Sequence, residues 1–214
     1  MRRARTLAAP LLGAGLWLAA AGAGVEIAAE GLGDPARGSA VFEEKRCARC
    51  HLPRARGQGM GPPLEAIRQP QGVLQLAGRL WNHAPVMFAA FEKEGLRWPE
   101  IVQEQMADLL AYLQADPSRD PAPDLFQGQV LLIRKGCLKC HRLRREGGTV
   151  GVELTRSRGW YQSSVAWSAT IWNHSARMAG HSTRMGLVYP RFSGDEMGHL
   201  LGFLRSAAEA SATQ

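Results

Sequence analysis

The chain has 214 residues, a formal net charge of +7 at pH 7 and a hydrophobic fraction of 45%. Three of the positive charges are arginines within the first five residues, and without them the net charge is +4. No basic run is interleaved with aromatic residues, although nucleic-acid binding surfaces usually have that pattern. We therefore expect no nucleic-acid partner.

Residues 1–23 have the order of a secretory signal peptide. Arginines precede an apolar run from Leu7 to Ala23, and Ala21-Gly22-Ala23 offers a small-residue cleavage site. The run is only slightly shorter than the roughly 20 residues of a spanning helix, so an uncleaved N-terminal anchor is the alternative. In both cases we expect the body of the protein to be periplasmic, either soluble or associated with the membrane through its N-terminus.

The four cysteines form two copies of the string Cys-x-x-Cys-His, which is the attachment signature of c-type haem. The copies are Cys47-Ala48-Arg49-Cys50-His51 and Cys137-Leu138-Lys139-Cys140-His141. Two thiols in one short turn can meet the two vinyl groups of a porphyrin, and the next residue places an imidazole on the iron. We therefore predict two covalently bound haem c groups, attached through these cysteines, with His51 and His141 as iron ligands.

Two other readings of the cysteines are disfavoured. A structural zinc site with four sulfurs would not require a histidine directly after each pair, and the pairs lie 90 residues apart. A thioredoxin-like redox site would need one pair in a βαβ context, and the sequence has no such pattern.

The sequence around the motifs repeats itself with an offset of 90 residues, which becomes 91 after a single insertion. Trp81-Asn82-His83 matches Trp172-Asn173-His174, for example. Apolar residues recur at helical spacing before each motif and at the end of each copy. The predicted helices cover Pro35–Arg46, Glu100–Gln114, Gln127–Lys135 and Ser193–Ala207.

These patterns predict an all-α protein with two tandem helical domains, each wrapped around one covalent haem. The domains would cover residues 32–115 and 125–207, followed by a C-terminal tail at 208–214. Residues 116–124 contain three prolines, which cannot continue a helix, and are predicted to be the linker.

The second axial ligand of each iron has several candidates. Within each copy a histidine and a methionine lie four residues apart, and so on one face of a helix. A thioether is the common distal ligand of electron carriers, so we assign Met87 and Met178. The alternatives are His83 with His174, and Met185 in the second copy. Trp81 and Trp172 are predicted to pack against the porphyrins.

The chain resembles bacterial class I cytochromes c, duplicated as in the di-haem cytochrome c4 type. The resemblance rests on the two haem motifs, the helix before each, and the closing segments Leu109–Leu113 and Leu200–Leu204. It implies a small helical bundle around each haem. In the familiar pattern the methionine lies closer to the last helix, near the position of Met185.

The function predicted from these features is electron transfer in the periplasm between respiratory redox partners. An electron carrier is favoured over an enzyme, because two axial ligands on each iron leave no open position for a substrate. The alternative is a di-haem dehydrogenase acting on a small oxyanion such as thiosulfate. The second copy, with Arg177, His181 and Arg184, is where such a substrate would bind.

Overall fold

The computed structural model describes residues 31–52, 56–57, 59–64 and 70–212. The predicted signal peptide at residues 1–23 lies outside these ranges. None of the helices within them is long and apolar enough to cross a membrane.

The described residues are mostly helical. The α-helices are α1 (Pro35–Glu44), α2 (Val73–Lys93), α3 (Gln103–Tyr112), α4 (Leu125–Arg134), α5 (Ser164–Arg184) and α6 (Glu196–Ala210). The second half of the chain thus repeats the order of the first: a short helix, a 21-residue helix and a closing helix. The terminal helices agree with the sequence prediction to within a few residues.

A two-stranded antiparallel hairpin departs from the predicted all-α fold. Strand β1 (Arg142–Leu143) pairs with β2 (Glu146–Gly147) directly after the second Cys-x-x-Cys-His string. The two turn residues, Arg144 and Arg145, both have positive φ, at 51° and 73°. Two consecutive residues of positive φ form the tight turn that suits the twist of a hairpin, and arginine pairs are not a usual signal for it.

Side-chain caps fix where several helices begin. Asp34 accepts hydrogen bonds from the backbone N–H groups of Ala36 and Arg37, ahead of a proline at the first helical position. Asp124 and Ser163 cap α4 and α5 in the same way. These residues satisfy N–H groups that have no partner within the helix.

Helix α1 packs across α3, and α4 packs across α6. A glycine lies at each crossing. A Cβ on Gly38 would lie 2.0 Å from the carbonyl oxygen of Asp108, and a Cβ on Gly128 would lie 2.1 Å from that of His199. Only glycine allows the backbones of the two helices to approach so closely.

The long helices α2 and α5 pack against each other and join the two halves. Each of the two hydrophobic cores takes residues from the long helix of the other half. The core of the first half includes Val165, Ala169 and Trp172 from α5, beside Phe42, Ile101, Met106 and Leu110. The core of the second half includes Leu74, Ala77 and Trp81 from α2, beside Leu132, Tyr161, Met197 and Leu201.

The repeated Trp-Asn pair in α2 binds the backbone of the second half. Trp81 Nε1 donates to the carbonyl oxygen of Pro190 at 2.6 Å. The side chain of Asn82 donates to the carbonyl of Phe192 at 2.6 Å and accepts from its N–H at 2.8 Å.

The equivalent pair in α5 binds the first half in return. Trp172 Nε1 donates to the carbonyl oxygen of Pro99 at 2.8 Å. Asn173 donates to the carbonyl of Ile101 and accepts from its N–H, both at 2.9 Å. The tryptophans that we predicted against the porphyrins therefore have their indole N–H groups bonded across the interface between the halves.

The proline-rich segment between the halves is hydrogen-bonded to the start of α2. It contains a 3₁₀ turn at Pro117–Arg119. The Asp120 carboxylate then accepts hydrogen bonds from the N–H of Leu74 at 3.0 and 3.2 Å. Burial raises the pKa of Asp120 to about 6, against the opposing effect of these bonds.

Candidate functional site

Each Cys-x-x-Cys-His string folds as a 3₁₀ turn that brings the histidine back over the first cysteine. The turns begin after a residue in the left-handed region, Arg46 with φ of 66° and Gly136 with φ of 74°. The N–H of His51 donates to the carbonyl of Cys47 at 2.9 Å, and the second string has the same bond at the same length. The two thiols of each pair therefore lie on one short turn.

None of the four cysteines, which all lie within the described residues, forms a disulfide, and all are partly buried. Burial raises the pKa of Cys47 and of Cys137 to about 11. Both groups are therefore protonated at neutral pH, whereas reactive redox cysteines have lowered pKa values. Cys47 and Cys137 therefore lack the lowered pKa of a redox-reactive thiol.

The histidine that ends each string is buried and oriented through one ring nitrogen. His51 Nδ1 lies 2.8 Å from the carbonyl oxygen of Pro62, and His141 Nδ1 lies 3.0 Å from that of Val152. A carbonyl can only accept, so Nδ1 carries the proton in each ring. Nε2 is then the atom with a free lone pair, and such a bond is the usual support of a metal-binding histidine.

A glycine packs against the face of each of these imidazoles. A Cβ on Gly61 would lie 2.6 Å from Cε1 of His51, and a Cβ on Gly151 would lie 2.5 Å from Cε1 of His141. The backbone N–H groups of these glycines also donate hydrogen bonds to the carbonyls of Cys50 and Cys140, in the 3₁₀ turns of the two Cys-x-x-Cys-His strings. Gly61 and Gly151 keep the repeat offset of 90 residues, and this spacing is the signal in the sequence that could have identified them.

A second histidine faces each of these imidazoles. The ring centroids of His51 and His83 are 6.2 Å apart with an angle of 57° between the planes. Those of His141 and His174 are also 6.2 Å apart, at 55°. Both facing histidines lie in the middle of a long helix, His83 in α2 and His174 in α5.

Burial lowers the pKa of both facing histidines, and the charge of the opposite imidazole lowers it further. The pKa of His174 falls to about 4, with Arg177 and His181 adding to the effect. The ring of His174 is therefore neutral at pH 7, which is the protonation state of a metal-binding imidazole.

The methionines assigned as ligands lie one helical turn further along. Met87 is partly buried against the core of the first half, and Met178 against that of the second. Met185, the third candidate, is 46% exposed, with its sulfur 4.0 Å from Sγ of Cys140. The rings that face the motif histidines are those of the alternative candidates, His83 and His174.

In the second half the predicted groups line one cavity. Its walls include Cys137, Cys140, His141, His174 and Met178. Arg177 and His181 from α5 also line it, as does Trp81 from the first half. This lining fits an apolar group attached at two sulfurs and bound by an imidazole.

The donor set of the first half fits covalent haem equally well, because two thiols on one turn accompany an oriented imidazole. Residues 35–115 match the cytochrome c family. No curated protein and no solved structure matched the chain. The match at residues 35–115 supports a haem-dependent electron-transfer role for that part of the chain.

Proposed function

We propose that the chain is an exported di-haem cytochrome that carries electrons in the periplasm between redox partners of a respiratory chain. One haem would be attached at Cys47 and Cys50 in the matched domain. The other would be attached at Cys137 and Cys140 in the second half. Export rests on the signal-like sequence of residues 1–23.

The observation that carries the proposal of a second haem is the repeated support of the motif histidine. His141 has the same Nδ1 bond to a backbone carbonyl as His51, and the same glycine against its ring. A buried imidazole fixed in this way, next to two thiols in a cavity, has the features that the first half uses to hold haem.

The long helices supply a short connection between the two sites. His83 of α2 faces the first motif histidine, and Trp81, two residues earlier, lines the cavity of the second half. In α5, His174 faces the second motif histidine, while Trp172 is buried in the core of the first half. Electrons exchanged between the haems would therefore cross the side chains that pack between the two sites.

Bound haem supplies a reversible one-electron couple at its iron. The chain's own residues have three tasks in this account. The thiols attach the group, and the Pro62 and Val152 carbonyls fix the imidazole orientation. The apolar cores exclude water and so help to set the potential of each iron.

Potentiometric titration of the haem-loaded protein tests the proposal. The wild-type protein should contain two haems per chain and undergo two reversible one-electron steps. A Cys137→Ser/Cys140→Ser variant should keep one haem and one step, and the Cys47→Ser/Cys50→Ser variant should keep the other. A wild-type protein with a single haem would contradict the proposal.

A second candidate function is oxidation of a small oxyanion, which Arg177 and His181 in the cavity lining favour. It requires an iron that can bind substrate. Steady-state turnover with thiosulfate, abolished in an Arg177→Ala variant, would establish this function. Electron exchange without turnover supports the carrier.

A further inference from the structure

We infer that both haems have two histidine ligands, with His83 and His174 in the distal positions instead of Met87 and Met178. For the second haem this rests on the function proposed above. The inference concerns which side chain of α2 and of α5 reaches the iron, and it changes the potentials and spectra expected of the protein.

The separation of the imidazole rings carries the argument. A bond between a metal and an imidazole nitrogen is about 2 Å long, and the ring centroid lies roughly 1 Å further along the same line. Two imidazoles on opposite sides of one iron would then have centroids roughly 6 Å apart. The observed separation is 6.2 Å in each half.

The nitrogen atoms are free for this role. Nδ1 of His51 and of His141 is engaged by a backbone carbonyl, which leaves Nε2 for the iron. The rings of His83 and His174 make no hydrogen bond to any residue in the described ranges, although His174 is partly buried. The side chain of His83 is exposed and that of His174 is partly buried, so a ring nitrogen of each is available to bind iron.

The same separation occurs although the helices around the two histidines differ. Residues 84–86 are Ala-Pro-Val in α2, whereas residues 175–177 are Ser-Ala-Arg in α5. Pro85 interrupts the hydrogen bonding of α2, and α5 has no proline. Two helices with different local sequence thus present the histidine at one distance, as a shared ligand would require.

Met178 lines the same cavity as His141 and His174. Met87 and Met178 pack against the hydrophobic cores, as methionine often does. The space beside each motif imidazole is taken by the facing histidine ring, at a centroid separation of 6.2 Å. The structure therefore favours a packing role for both methionines.

Two histidine ligands give the iron a lower reduction potential than a histidine and a methionine, because a thioether raises the potential. They also fill both axial positions of each haem. A protein of this kind would suit partners at the low-potential end of a respiratory chain, and its native irons would not take up substrate.

The near-infrared spectrum and electron paramagnetic resonance of the oxidised, haem-loaded protein test the inference. We expect low-spin signals typical of two imidazole ligands and no thioether-to-iron charge-transfer band. A thioether band of full or half intensity would overturn the inference for both haems or for one. The haem content, measured separately after alkaline pyridine treatment, should be two per chain, and a value of one would count against the proposed second haem alone.

Matched variants identify the ligand in each half. In His83→Gly, half of the haem should become high-spin, and added imidazole should restore the low-spin spectrum. Met87→Leu should leave the spectrum and both midpoint potentials unchanged. His174→Gly and Met178→Leu should behave in the same way in the second half.

A gain-of-signal variant covers the case in which removal of the histidine prevents folding. His83→Met should create the thioether band that the wild-type protein lacks, and should raise one midpoint potential. High-spin haem in Met87→Leu, or a His83→Met variant that keeps the wild-type spectrum and potentials, would overturn the inference.

Discussion

The indole rings of Trp98 and Trp172 stack across the two halves, with centroids 4.4 Å apart and 25° between the planes. Trp98 Nε1 donates to the backbone carbonyl of Trp172 at 3.2 Å. Trp81 and Tyr189 form the counterpart stack, at 4.8 Å and 17°. The halves therefore contact each other through stacked aromatic pairs. These pairs bury apolar surface, and their indole N–H groups donate hydrogen bonds.

We expect the haem-loaded protein to unfold in a single cooperative transition. Each hydrophobic core contains residues from the long helix of the other half, so neither core can persist once the other half unfolds. Calorimetry should give a calorimetric enthalpy equal to the van't Hoff enthalpy. Two resolved transitions would show that the halves are independent domains.

Asn173→Ala should destabilise the protein by about 1–3 kcal/mol, the usual cost of leaving buried polar groups without partners. The variant removes both hydrogen bonds of Ile101, which is fully buried. Asn82→Ala should have a similar effect through Phe192.

Urea unfolding of the haem-loaded protein measures both changes. Gln127→Ala, an exposed position in α4, is the control and should stay within about 0.5 kcal/mol of wild type. Asparagine variants as stable as this control would contradict the assigned role of the interface bonds.

Gly38→Ala and Gly128→Ala should each cost about 1–3 kcal/mol, as overpacking usually does, because the new Cβ would overlap a backbone carbonyl. Gly198→Ala in α6 is the matched control. Its Cβ would meet Leu74 Cδ1 at 3.5 Å, an ordinary contact, and alanine favours a helix over glycine by about 1 kcal/mol. Thermal unfolding should therefore rank Gly198→Ala above the other two variants, and the reverse order would refute the close crossing.

The buried carboxyl of Asp120 should make stability depend on pH. Its pKa is raised to about 6 in the folded protein, above the value of about 4 in an unfolded chain. The folded state binds the proton more tightly than the unfolded state does. The stabilisation from the protonated Asp120 carboxyl is therefore complete below pH 4 and is lost as the pH rises through 6. Relative to Asp120→Asn, the wild type should lose stability over that range.

Asp116 provides a control of opposite sign. Hydrogen bonds from the hydroxyl and the N–H of Ser118 lower the pKa of its carboxyl. The stabilisation from the ionised Asp116 carboxylate should be complete above the ordinary carboxyl pKa. It should be lost as the pH falls through the lowered pKa of Asp116 in the folded protein. Urea unfolding of Asp116→Asn and Asp120→Asn across pH 3–8 should therefore show opposite slopes relative to wild type, and equal slopes would contradict this account.

The sequence pattern predicted the terminal helices of each half because their apolar residues follow helical spacing and their caps are local. Strand β1 could not be predicted, since it depends on left-handed turn residues that are arginines here. The role of the Trp-Asn pairs in the contact between the halves could not be predicted from the sequence either, because the carbonyls that they bind lie 72–110 residues away along the chain.

The candidate site divides in the same way. The thiols and the adjoining histidines were evident from a local string of five residues. The sequence did not show whether His83 or Met87 is the distal ligand. Residues four apart share a helical face, so periodicity does not separate them. Only the three-dimensional position of the His51 ring distinguishes the two.

The most direct test of the account is the intact mass of the protein produced in a host competent in cytochrome maturation. The account predicts the polypeptide plus two haems, with one haem retained when either cysteine pair is replaced by serine. A wild-type mass that corresponds to one haem, or to none, would contradict the claim that both halves bind haem.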